Sequence, residues 1–172
     1  MKNVLGLDLS LNGSGIVLLS PDNEILHHEV VILNTNARNK LKGMDRILYI
    51  IARINKIVTE YSNLEAVIEG YSFGSKGRAV VSLGELGGAV RLFLIQNNIP
   101  FLEVPPTTLK KVVAGRGDAK KEDMLSAVRA QFGVVFDDHN VNDAFCLARY
   151  REQIISSLPP SLREFQKRRV IL

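Results

Sequence analysis

A single cysteine, Cys146, in a chain of 172 residues leaves no partner for an internal disulfide. It lies in the apolar stretch Ala144-Phe145-Cys146-Leu147-Ala148, which reads as a helix face, so we assign it to the core and not to thiol chemistry. His139 has no cysteine or second histidine at zinc spacing, which argues against a structural zinc. No Ser-His-Asp or Cys-His arrangement supplies a covalent nucleophile. No run of about 18 apolar residues is present to cross a bilayer. The start, MKNVLGLDLS, carries neither the basic flank nor the cleavage pattern of a secretory signal, so a cytoplasmic setting is expected. Internal repeats are absent, and no linker interrupts the chain before Pro159-Pro160.

With 46% hydrophobic and 23% charged residues, the chain has the composition of one globular domain with a well-filled core. We expect that domain over residues 1–158, followed by a basic tail or docking segment over 159–172. The net charge is only +4, but the cations are unevenly placed: Lys110-Lys111, Arg116 and Lys120-Lys121 share one short segment, and Lys167-Arg168-Arg169 lie near the end. Such clusters suit a polyanion, because each cation that neutralises a phosphate releases counterions; they also suit a solvated surface.

The order of elements predicts the fold class. Residues 3–10 and 15–20 read as strands joined by a glycine turn, and the Pro21-Asp22-Asn23 turn leads to a third strand over 24–33. Leu41, Met44, Ile47, Leu48, Ile51, Ile54, Ile57 and Val58 recur at helical spacing within 40–61. A strand over 66–69, a helix over 77–97, a strand over 99–104 and helices near 107–113, 120–131 and 140–157 follow. The expectation is an α/β domain: a mixed five-stranded sheet, with a three-strand antiparallel meander and two parallel strands, flanked by helices.

Three acids stand out within this order. Asp8 ends the apolar run Val4-Leu5-Gly6-Leu7, and Glu69 ends Ala66-Val67-Ile68. A carboxylate in a buried strand is costly to desolvate unless a cation or partner compensates it. If the fourth strand runs parallel beside the first, Asp8 and Glu69 are neighbours at one end of the sheet, and the last helix can lay Asp143 against them. Converging oxygen ligands of this kind suit Mg²⁺ or Mn²⁺. Asp137 and Asp138 are better read as helix caps.

Five segments then resemble a known family. Gly6-Leu7-Asp8-Leu9-Ser10, Ile68-Glu69-Gly70, Leu83-Gly84-Glu85-Leu86-Gly87-Gly88, Pro106-Thr107-Thr108-Leu109-Lys110-Lys111 with Gly115-Arg116-Gly117, and Asn140-Val141-Asn142-Asp143 occur in the order seen in RuvC-type Holliday junction resolvases, most like those encoded by bacteriophages. The resemblance implies an RNase H-like fold and a metal-dependent endonuclease that cuts four-way junctions and related branches such as forks or flaps, using two Mg²⁺ or Mn²⁺ ions per site. It also implies metal ligation by Asp8, Glu69 and Asp143, with a fourth ligand one turn before the last acid. That position holds Asn140, which brings an amide oxygen but no charge. His139 and Asp138 are the alternates. Lys110 and Lys121 fall where the family has basic residues beside the scissile phosphate.

By the same resemblance, Tyr71 and Phe73 in the loop after Glu69 would stack on bases, and Lys76, Arg78, Lys111, Arg116 and Lys120 would contact phosphates. Two symmetric strands to cut imply a homodimer, for which the small-residue helix over 83–91 is the expected interface. Two other readings stay open: a branched-DNA binder without catalysis, and a phosphate-binding domain of the actin-like or sugar-kinase type, for which the chain is short.

Overall fold

Alternation along the strands divides the residues between two faces of one sheet, and that division decides where the acids point. The computed structural model describes residues 2–32, 43–70 and 78–161. Five strands, β1 (Asn3–Asp8), β2 (Gly13–Leu19), β3 (Ile25–Ile32), β4 (Leu64–Glu69) and β5 (Phe101–Val104), form a sheet in the order β3-β2-β1-β4-β5. The meander β1-β2-β3 is antiparallel, while β4 and β5 join it in parallel. This is the mixed five-stranded α/β sheet that the sequence predicts.

Leu5, Leu7, Ile16, Leu18, Ala66 and Ile68 face one side, where they are buried. Two helices cover them: α1 (Gly43–Glu60), through Ile47, Ile50, Ile54 and Ile57, and α2 (Arg78–Gln96), through Leu86, Val90 and Leu94. The opposite side carries Val17, Leu19, Val67 and Val104 under α3 (Pro106–Ala114), α4 (Lys121–Phe132), α5 (His139–Arg149) and α6 (Arg151–Ser157). Asp8 lies one residue past Leu7 and so belongs to this second face, the one α5 covers.

Two glycines let α5 approach closely. A Cβ built at Gly6 would lie 1.9 Å from the Ala144 carbonyl oxygen, and one at Gly15 would lie 2.0 Å from the Asn140 carbonyl oxygen. The helix backbone therefore rests directly on β1 and β2. No helix among the described residues is long and apolar enough to cross a membrane.

The expected single helix over 140–157 is two. Tyr150, at φ −98° and ψ 16°, ends α5 by donating its N–H to the Cys146 carbonyl, and its own carbonyl accepts from Ile154 at the start of α6. The ring is buried and its hydroxyl donates to Gln131 of α4, a tertiary contact that outweighs continuation of the helix. Arg151 then reaches Glu65 of β4 at 2.5 Å, tying α6 to the sheet.

Candidate active site

Register brings the first two acids together. Leu7 pairs with Ile68 across the parallel β1-β4 ladder, so Asp8 and Glu69 follow side by side at the carboxyl ends of adjacent strands. The turn beyond Asp8 is closed locally: buried Ser14 donates its hydroxyl to the Ser10 carbonyl at 2.9 Å and accepts from the Ser10 N–H at 3.1 Å. Asp143 arrives on α5, whose start is capped by Asp138 accepting from the Asn140 N–H at 2.7 Å.

The three carboxylates act on one another. Asp8 is 7% exposed, and burial, then the neighbouring Glu69 and Asp143, raises its pKa well above the usual carboxylate range. Glu69, hydrogen-bonded to Asp8, is pushed up to about 7 by burial and by Asp143. Burial also raises Asp143, against the opposing effects of a hydrogen bond from Asn142 and the positive fields of His139, Lys121 and Lys110. Half-buried Lys110 on α3 and exposed Lys121 at the first position of α4 thus overlook the acids from the second face.

Among the described residues, no three His, Cys, Asp or Glu side chains form a ready-made metal cage. The donor set nonetheless suits a hard divalent cation, since it consists of carboxylate oxygens held partly out of water. Like charges this close raise one another's pKa, and a divalent cation held between them would relieve that cost.

The remaining sequence candidates are distributed as follows. Asn140 sits on the sheet side of α5, with its amide nitrogen 3.3 Å from where a Gly13 Cβ would be. Asp138 is engaged as the helix cap. Lys111 on α3 and Lys120, which caps the start of α4, are exposed. Arg116 is exposed but not a free cation: it pairs with Asp123 at 2.5 Å and with Asp118 at 3.9 Å, and Asp123 also accepts the Lys120 N–H at 2.8 Å. Tyr71, Phe73 and Lys76 lie outside the described residues, as does the side chain of Arg78. Sequence reasoning passed over Asn142, which is 1% exposed and adjoins Asp143. Its i,i+4 spacing to apolar Cys146 was the available signal that it points inward.

The family model for crossover junction endodeoxyribonuclease RuvC matches residues 4–149, spanning all five strands and the three acids. The chain belongs to the RuvC family. A RuvC from Rickettsia africae (strain ESF-5) is 28% identical over 127 residues, covering 73% of this chain and 80% of that protein. A RuvC from Caldicellulosiruptor saccharolyticus is 27% identical over 149 residues, covering 84% and 89%. Among solved structures, Thermus thermophilus RuvC in complex with a Holliday junction substrate superposes with a TM-score of 0.73 at 23% identity, covering 86% of this chain and 91% of that one. The RuvC assignment sets aside the actin-like and sugar-kinase reading.

Proposed function

We propose that this chain is a divalent-metal-dependent endodeoxyribonuclease that hydrolyses phosphodiester bonds at four-way junctions and related branched DNA. The observation that carries this reading is the convergence of Asp8, Glu69 and Asp143 from β1, β4 and α5, overlooked by Lys110 and Lys121, in a chain of the RuvC family. The named relatives are crossover junction endodeoxyribonucleases, and one structural neighbour was solved with a Holliday junction.

In this reading Asp8, Glu69 and Asp143 would together hold the cations. Asn140 supplies a fourth oxygen through its amide carbonyl; His139, the first residue of α5, is the alternative. Two Mg²⁺ or Mn²⁺ ions, when bound, supply activation of water for in-line attack on phosphorus and stabilisation of the departing 3′ oxygen. Lys110 and Lys121 hold the scissile phosphate against the acids, and Lys111 and Lys120 extend the phosphate track. Arg116 joins that track only by leaving Asp123. Tyr71, Phe73, Lys76 and Arg78 are proposed to meet the branch itself.

A symmetric junction calls for two sites, and α2 supports a homodimer. Its Leu86, Val90 and Leu94 pack on the sheet, while Val81 and Leu92 are 64% and 55% exposed and a Cβ at Gly84 or Gly88 would meet nothing within 4 Å. That outward face admits close approach of a second copy. The proposed place of work is the cytoplasm.

Incubating labelled four-way, three-way and linear DNA with and without Mg²⁺ tests the proposal. Paired nicks in the four-way junction only with Mg²⁺ are expected, together with Asp8→Asn protein that binds the junction and does not cut it. Undiminished cleavage by Asp8→Asn, or equal cutting of linear DNA, refutes it. Binding without any cleavage by the unaltered protein would favour the non-catalytic reading.

A further inference from the structure

Arg116 stands in the basic segment between α3 and α4, yet its charge is already compensated. Its Nη2 donates to Asp123 Oδ2 at 2.5 Å, and its Nε lies 3.9 Å from Asp118 Oδ1. Two carboxylates around one guanidinium leave a local net charge of −1, which repels a phosphate instead of attracting it. Exposed pairs of this kind add little to stability. What this pair does is join two places in the chain.

Asp123 occupies the third position of α4, where the same Oδ2 accepts the Lys120 N–H at 2.8 Å and closes the first turn. Lys120, Lys121 and Glu122 are exposed, and the first buried side chain of α4 is Met124, so apolar packing leaves that turn to polar contacts. The loop carrying Arg116 is fixed to α3. Gly115, at φ 79°, ends α3 with its N–H on the Lys111 carbonyl, and a Cβ at Gly117 would lie 3.2 Å from the Thr107 carbonyl oxygen in the first turn of α3. Lys110 follows Thr107 by about one turn. Arg116 therefore ties the turn bearing Lys121 to the helix bearing Lys110.

We infer that Arg116 is a positioning residue and not a phosphate contact: through Asp123 it holds the first turn of α4 so that Lys121 keeps its place relative to Lys110. This rests on the proposed role of those two lysines at the scissile phosphate. The Lys120 N–H and the Arg116 guanidinium hold the Asp123 carboxyl below the usual carboxylate range, so the tie stays charged at neutral pH.

Arg116→Ala, assayed on labelled four-way junctions, tests the inference by separating binding from cutting. We expect the junction dissociation constant in chelator, and its salt slope, to match those of the unaltered protein. The single-turnover rate at saturating protein with Mg²⁺ should fall roughly 10-fold, and no further than in Lys121→Ala. In a Lys121→Ala background the same substitution should slow cutting no more. Asp123→Asn, whose amide oxygen still accepts the Lys120 N–H, should set Arg116 free: junction binding tightens, the salt slope steepens by about one, and cutting slows.

A salt slope shallower by about one in Arg116→Ala makes Arg116 a phosphate contact and overturns the inference. An unchanged single-turnover rate overturns it too, as does a further loss in the Lys121→Ala background, because the tie would then act elsewhere. If Lys121→Ala alone cuts at the unaltered rate, the lysine role fails first, and if the unaltered protein cuts no junction, the nuclease reading fails; this inference falls with either.

Discussion

Without a cation, the three clustered acids should make the protein less stable as pH rises, and Glu69 gives the size of the effect. Its carboxyl sits at about 7 in the fold against an ordinary 4.5. The folded state therefore holds this proton more tightly than the unfolded chain does. The resulting stabilisation is complete below about pH 4.5 and disappears as pH climbs through 7. Between about pH 5 and pH 8 the loss is about 2.5 kcal/mol, or roughly 5–10 °C in melting temperature for a chain of this size. Asp8 and Asp143 are shifted the same way and add to it. Thermal melts in chelator across that range would measure the slope, with Glu69→Gln as the control, since it cannot ionise and should flatten the curve. Added Ca²⁺ should restore stability to the unaltered protein most at the high-pH end. Parallel curves for the two proteins in chelator would refute the account.

Gly6→Ala should push α5 off the sheet, because its Cβ would fall 1.9 Å from the Ala144 carbonyl oxygen. A loss of about 3 kcal/mol or more in denaturant unfolding is expected, and an unchanged midpoint would mean that the helix has room to move. Lys110→Ala and Lys121→Ala should each slow cleavage and reduce the salt slope of junction binding by about one, measured by titration at several salt concentrations. Unchanged slopes would remove both lysines from the phosphate track.

The meander and both parallel strands were legible because their residues follow simple rules: apolar runs bounded by glycine, proline and asparagine turns. Asp8 and Glu69 were legible as a pair for a related reason. Each ends an apolar strand, and only a parallel β1-β4 neighbourhood puts such ends together. The break at Tyr150 was not legible, since Cys146, Leu147, Tyr150 and Ile154 keep helical spacing and neither glycine nor proline intervenes. A hydroxyl contact to Gln131, nineteen positions earlier, decides it. Arg116 looked like a free cation because its partner Asp123 lies two turns away, beyond a loop. Asn142 was hidden by its type: amides on helices usually face water, and only its i,i+4 spacing to apolar Cys146 reports that this one faces inward.

The acids come from positions 8, 69 and 143 of a 172-residue chain, and the third reaches the others only once α5 lies on the first two strands. All five strands precede α5, so the three acids can meet only after the whole sheet has been made. Lifting α5 off β1 and β2 would therefore part Asp143 from Asp8 and Glu69.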